Sequence, residues 1–206
     1  GVADDANGAT TLTITVTDLN DQTPSVSVAS TYNHAEAAST TFQTYTIVDT
    51  DTTGTYSCTL GGADAADFTA SISSKTCTVA WAAAPNYESP ADTGGNNVYD
   101  ITLAMSDGTN SNTYTTAITV TDVNDQTPAV SVAATYNHAE AASTTFQTYT
   151  IVDTDTTGTY SCTLGGADAA DFTASISSKT CTVAWAAAPN YESPADTGGN
   201  NVYDIT

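Results

Sequence analysis

Residues 25–102 recur as residues 129–206, each position shifted by 104, and only Ser25/Ala129 and Ser30/Ala134 differ between the copies. Identity over so long a stretch means that one structural unit is built twice. A unit of about 100 residues is a whole domain, not one turn of a solenoid. In both copies an acidic heptapeptide closed by proline stands just before the shared stretch. The two are Asp18-Leu19-Asn20-Asp21-Gln22-Thr23-Pro24 and Asp122-Val123-Asn124-Asp125-Gln126-Thr127-Pro128. Around the second, Ala117-Ile118-Thr119-Val120-Thr121 and Ala129-Val130-Ser131-Val132 alternate as strands do. Proline is tolerated where an edge strand begins but not inside a central one. The heptapeptide therefore reads as a joint between two β-domains.

Five parts follow from the repeat. Residues 1–17 are the tail of a repeat, because Thr13-Ile14-Thr15-Val16-Thr17 ends as Ala117-Ile118-Thr119-Val120-Thr121 does. Residues 18–24 are a linker, 25–121 a complete domain, and 122–128 a second linker. Residues 129–206 form a second domain without its last strands, since Thr206 matches Thr102. Two arrangements fit. The chain is a window on a longer polypeptide with further copies, or residues 1–17 of one subunit complete the open domain of the next by strand addition. A sandwich missing a strand exposes a core and two edges, so both arrangements expect a neighbour.

Within one repeat, short alternating runs dominate and helical periodicity is absent. Val26 and Val28 begin a first strand and residues 42–48 a second. Tyr56, Cys58 and Leu60 share a face of a third, Phe68, Ala70 and Ile72 of a fourth, and Cys77, Val79 and Trp81 of a fifth. Tyr99, Ile101, Leu103 and Met105 face inward on a sixth, and Tyr114, Thr116, Ile118 and Val120 on a seventh. Gly61-Gly62, Ser73-Ser74-Lys75 and the Pro- and Gly-bearing stretch 82–97 mark turns and loops. Seven short strands in about 100 residues predict an all-β, immunoglobulin-like Greek-key sandwich, here in tandem. Trp81, Tyr99 and Phe68 are expected in the core, His34 and His138 in surface or capping roles, and Asp64 and Asp67 in loops and turns.

Each repeat holds one cysteine pair, Cys58/Cys77 and Cys162/Cys181, with both members on apolar strand faces. A disulfide within each repeat is the economical pairing and implies an oxidising, extracellular setting. Two buried thiols are the alternative. A metal site built on cysteine lacks a second cysteine at close spacing.

The chain has 206 residues, 23 Asp+Glu against 2 Lys+Arg, and a formal net charge of -21. It offers no basic footprint for nucleic acid or an anionic membrane, and no apolar run is long enough to span a bilayer. The natural counter-charge is a cation. An acidic disordered tail is excluded by the 40% of hydrophobic residues, set in alternating runs. Frequent Ser and Thr can accept O-linked sugar, although Thr also simply favours strands. Asp49-Thr50-Asp51-Thr52-Thr53-Gly54 begins like a helical calcium loop, but Leu60 stands where that loop needs Glu. No serine or cysteine nucleophile sits in a catalytic motif, and no enzymatic activity is expected.

A set of motifs in fixed order carries a resemblance. They are Ala35-Glu36-Ala37, Asp49-Thr50-Asp51, Gly62-Ala63-Asp64-Ala65-Ala66-Asp67-Phe68, Asn86-Tyr87-Glu88, Asn97-Val98-Tyr99-Asp100, Ser106-Asp107-Gly108 and Asp122-Val123-Asn124-Asp125. Together they resemble a bacterial cadherin-type domain, over the whole repeat. The resemblance implies Ca2+ between successive domains. At the 122–128 joint the implied ligands are Glu36, Glu88, Asp122, Asn124, Asp125, Asp153 and Asp155. At the 18–24 joint they are Asp18, Asn20, Asp21, Asp49, Asp51 and Asp107, with the glutamates of a preceding domain outside this chain. Asn86 stands where the family often has Asp, and Gln22 and Gln126 where the linker motif usually ends in Asn. The expected function is a structural or adhesive extracellular segment, a fibre or adhesin of calcium-rigidified repeats joined to copies of itself and open to cell-surface or matrix ligands. A carbohydrate-binding adhesin module is the alternative, and it needs an exposed aromatic platform.

Overall fold

In the computed structural model, residues 11–140 and 142–206 are described; the first ten residues of the expected 1–17 tail lie outside that range. The chain divides into two compact units between Thr121 and Asp122.

The first unit holds seven strands: β1 (Thr31–Ala35), β2 (Thr41–Thr46), β3 (Ser57–Gly61), β4 (Phe68–Ser73), β5 (Thr76–Trp81), β6 (Val98–Ser106) and β7 (Ser111–Thr121). They form a four-stranded sheet, β1-β7-β6-β3, and a three-stranded sheet, β2-β5-β4. All pairings are antiparallel except that of β1 with β7, which runs parallel from Thr31↔Ala117 to Ala35↔Thr121. Alternation decides which face is buried. On β5, Cys77, Val79 and Trp81 are buried and the residues between them are half-exposed. On β6, Tyr99, Ile101, Leu103 and Met105 are buried, at 1% exposure or less. Val79, Leu103 and Ile118 lie in the resulting core. Cys58 on β3 and Cys77 on β5 are joined across the two sheets, with Cα atoms 5.9 Å apart, and Cys162–Cys181 repeats the bridge. The expected pairing is the one formed.

Three local expectations change. The segment of Val26 and Val28 is not a strand; it contributes one isolated bridge, Ser25↔Val48. The first strand is Thr31–Ala35, a polar segment whose ladder comes from β7. His34 is half-buried rather than out on the surface. Its ring centroid lies 5.3 Å from that of Trp81 and 6.1 Å from that of Phe42. Burial there pushes its pKa down. Asp64 is also more than a loop residue. Buried, it accepts the backbone N–H of Thr93 and of Asp100, both at 2.7 Å, and so ties its own turn to the 82–97 loop and to β6. Burial opposes its ionisation, but these N–H donors prevail and hold its carboxyl below the usual range.

The second unit repeats the smaller sheet, as β8 (Thr145–Thr150), β9 (Phe172–Ser177) and β10 (Thr180–Trp185), in the order β8-β10-β9. Residues 135–139 and 161–165 match β1 and β3 in sequence but form no strand. In the first unit those strands are laddered to β7 and β6. Of the ladders that match these, the described residues keep one exchange of backbone hydrogen bonds, between Gly165 and Thr206, each at 2.8 Å. The core is correspondingly open: Val26 is 8% exposed, and its counterpart Val130 is 49% exposed.

Candidate metal centres

Each acidic cluster is built from the linker and loop segments just outside the strands. In the first unit, Asp49 and Asp51 follow β2, and Asp107 sits in the turn between β6 and β7. Carboxylate oxygens of these three lie within 4.8 Å of one another, and Asp51 and Asp107 are buried. The linker is pinned against them. Asp51 Oδ2 accepts the Gln22 N–H at 2.8 Å. Asp18 Oδ2 accepts the backbone N–H of Thr52 at 2.7 Å and its hydroxyl at 2.8 Å. Asn110 Nδ2 donates to the Gln22 carbonyl at 3.0 Å.

Asn20 completes the arrangement. Its Nδ2 donates to Thr109 Oγ1 at 3.1 Å. Its other amide end lies 3.0 Å from Asp51 Oδ2 and 3.1 Å from Asp107 Oδ2. With the amide so placed, three oxygens face one another with no hydrogen between them. Turning the amide by 180° would put donors there instead. Gly54 makes the approach possible: at φ +149, a Cβ there would lie 3.1 Å from the Asp107 carbonyl and 3.5 Å from Asn20 Nδ2. Asp21 is not among the clustered carboxylates; its Oδ1 accepts Gln22 Nε2 at 2.9 Å.

The second unit repeats the linker contacts from its own linker. Asp155 Oδ2 accepts the Gln126 N–H at 2.9 Å, and Asp122 Oδ2 accepts Thr156 N and Oγ1 and Thr157 N at 2.5–2.8 Å. Carboxylate oxygens of Asp125 and Asp155 lie within 4.8 Å of each other. Asp153 Oδ1 accepts the Asp155 N–H at 3.0 Å. Asn124 lies against Gly158, as Asn20 does against Gly54. Asp155 is fully buried, and its Oδ1 and that of Asp122 have no hydrogen-bond partner among the described residues.

At the opposite end of the first unit, beside the close of β7, Glu36 is buried and accepts the Tyr87 N–H at 2.7 Å. A carboxylate oxygen of Glu88 lies within 4.8 Å of one from Glu36. In the second unit Glu140 accepts the Tyr191 N–H at 2.8 Å.

Three of the acids, Asp18, Asp107 and Asp122, are held ionised. Hydrogen bonds from the Thr52 side chain and backbone keep the Asp18 carboxyl below its ordinary range, and those of Thr156 do the same for Asp122. At Asp107 burial pulls upward, and the N–H groups of Asn110 and Thr109, at 2.6 and 2.7 Å, overcome it.

The sequence reading missed a supporting residue, Lys75. Its ammonium donates to the Asp49 carbonyl at 2.9 Å and lies 5.1 Å from the centre of the Tyr56 ring. The Tyr56 hydroxyl donates to Asp49 Oδ2 at 3.1 Å. Lys179 repeats this, donating to the carbonyls of Asp153 and Asp155 at 2.7 and 3.2 Å. The available signal was composition: these are the chain's 2 basic residues, one per repeat.

No protein-family profile and no curated protein matches the chain. Solved structures do. Protocadherin gamma B2 extracellular cadherin domains 1–5 match with a TM-score of 0.60 at 17% identity, over 85% of this chain and 34% of that one. The protocadherin gammaB7 EC3–6 cis-dimer gives 0.58 at 20% identity, over 83% and 41%. Human protocadherin-24 EC1–2 gives 0.57 at 18% identity, over 81% and 78%. The chain thus spans less than half the length of the first two. At these identities the likeness establishes the fold, a cadherin-like β-sandwich.

Proposed function

We propose that this chain is a segment of an extracellular fibre or adhesin, in which Ca2+ bound at acidic joints stiffens a row of cadherin-like sandwiches linked to copies of themselves. The observation that carries this reading is the carboxylate cluster of Asp49, Asp51 and Asp107, two of them buried, with the Asn20 amide against it. An all-oxygen set mixing carboxylates with an amide suits a hard cation, and Ca2+ tolerates its irregular shape better than Mg2+ does. Unpartnered, buried carboxylate oxygens on Asp122 and Asp155 fit ligands awaiting a cation.

In this reading Asp18, Asn20, Asp21, Asp49, Asp51 and Asp107 hold Ca2+ at the 18–24 joint. At 122–128, Glu36 and Glu88 supply ligands from the preceding domain, and Asp122, Asn124, Asp125, Asp153 and Asp155 supply the rest. The bound ion would offset the mutual repulsion of these carboxylates and fix the linker. Two disulfides support an oxidising, extracellular location. The carbohydrate-platform alternative loses its main candidate, because Trp81 is 4% exposed and Trp185 8%.

Thermal unfolding with and without Ca2+ tests the reading. A cation held at a hundredfold over its Kd adds about 2.7 kcal/mol, which corresponds to roughly 10–20 °C in Tm for a domain of this size. Chelation is expected to reverse the gain and to open the linkers to protease. A Tm and a cleavage pattern indifferent to EDTA would refute it.

A further inference from the structure

The three-stranded sheet of each unit has an unpaired edge. Among the described residues, β4 (Phe68–Ser73) pairs with β5 alone and β9 (Phe172–Ser177) with β10 alone. Both edges read Phe-Thr-Ala-Ser-Ile-Ser, and each is formed alike whatever the state of the other sheet. Backbone direction identifies the free groups. The Asp67 carbonyl accepts the Ala82 N–H at 2.8 Å, and the direction of hydrogen bonding alternates along a strand. Thr69, Ser71 and Ser73 therefore bond to β5, while Ala70 and Ile72 direct N–H and C=O outward.

Sheet edges are commonly blunted by charge, proline or a bulge. The opposite edge of the same sheet has a bulge, where the register of β2 shifts between Thr41 and Gln43. β4 has none of these devices. Its register against β5 is unbroken from Phe68↔Trp81 to Ser73↔Thr76. It carries no charged residue, on a chain with 23 Asp+Glu. Ile72, beside the free groups, is 36% exposed, and Ile176 38%. Lys75, in the turn that follows, is drawn to the Asp49 carbonyl instead.

We infer that the β4 and β9 edges join copies of this chain edge to edge, each pairing antiparallel with an equivalent edge of a second copy. The strand's own pattern favours that occupant. An antiparallel partner of identical sequence sets Phe68, Ala70 and Ile72 against their own kind on one face, and the hydroxyls of Thr69, Ser71 and Ser73 against theirs on the other. An uncharged strand is also where two chains of net charge -21 repel each other least. A cationic partner would gain more at the acidic loops. One six-residue pair buries far less than the ~1,600 Å² of a standard interface. A single contact is therefore weak, and the second edge on each chain adds avidity. The pairing uses none of the joint residues and does not rest on the calcium reading.

Residue-resolved hydrogen exchange with sedimentation velocity tests this, over a concentration series of the 206-residue chain in EDTA and in Ca2+. The wild type is expected to associate as concentration rises, and more so in high salt, which screens like charge. The amides of Ala70, Ile72, Ala174 and Ile176 should slow in step with association, whereas those of Thr69 and Ser71 are already protected in the monomer. Ala70→Pro/Ala174→Pro removes one outward N–H from each edge, leaves the ladder to β5 in place, and should weaken association about tenfold. Ser71→Glu/Ser175→Glu sets like charges across the pair, keeps every backbone group, and decides alone if the proline variant unfolds. Slowed Ala70 and Ile72 amides that recover in a folded variant uphold the inference, in EDTA and in Ca2+ alike. A chain monomeric at every concentration overturns it. So do multimers whose Ala70 and Ile72 amides exchange as fast as in the monomer, and folded variants that associate as the wild type does. The Ca2+-dependent Tm gain, read in the same samples, reports on the joints separately.

Discussion

At the scale of single residues, the acids of the joints were legible because oxygen ligands must be spelled out as Asp, Asn and Glu. The groups that hold them were not, since Thr52, Tyr56 and Lys75 act through contacts that no local pattern encodes. Lys75 is the clearest case, a lone cation placed under an anionic cluster, holding a backbone carbonyl. Lys75→Met should lower the stability of the calcium-free chain by about 1.5 kcal/mol, the lower end for a charge-assisted hydrogen bond because the side chain is half-exposed. Urea denaturation in EDTA measures it; no change would mean that the Asp49 carbonyl is held by other means.

His34 gives a pH signature. Burial among Trp81 and Phe42 lowers its pKa from 6.5. The unfolded chain therefore binds a proton at higher pH than the folded one. The contribution of neutral His34 is complete above about pH 6.5 and is lost as pH falls toward the depressed folded value. His34→Phe keeps the aromatic contacts and should flatten that limb of a plot of Tm against pH. A limb of equal depth in the variant would assign it elsewhere.

Among elements, the strands with strong alternation were legible: β5 and β6 carry Cys77, Val79, Trp81 and Tyr99, Ile101, Leu103, Met105 on one face. β1 was not, because Thr31-Tyr32-Asn33-His34-Ala35 shows little apolar periodicity and its partner lies at the other end of the repeat. The second unit shows the dependence directly. The same five residues at 135–139 form no strand where no β7 stands beside them. Propensity is a weak prior that tertiary pairing overrides. Hydrogen exchange reads this out. Amides of residues 31–35 should be protected and those of 135–139 should exchange quickly in the 206-residue chain. Equal protection would show that β1 forms without its partner.

For the whole molecule, the repeat made the tandem organisation plain, and composition argued against partners that need a basic footprint. A formal net charge of -21 on 206 residues opposes close approach of successive units until cations neutralise it. That cost falls where the acids converge, at the joints. The sandwich centres are free of it, with Met105, Leu103 and Val79 fully buried. On the calcium reading proposed above, a change in cation supply acts at the joints and leaves the sandwich cores unchanged.

The parallel pairing of β1 with β7 has a mechanical consequence. β1 lies near the beginning of the complete repeat and β7 at its end, so a pull along the chain draws the two strands past each other lengthwise. Five register positions, Thr31↔Ala117 to Ala35↔Thr121, then bear the load together. An antiparallel pair of terminal strands would be peeled open one bond at a time. Once that clamp yields, the Cys58–Cys77 bridge, closing a separation of 19 residues, keeps the segment between them from paying out. Under such a pull the repeat would resist first through this clamp and then extend less for the bridge.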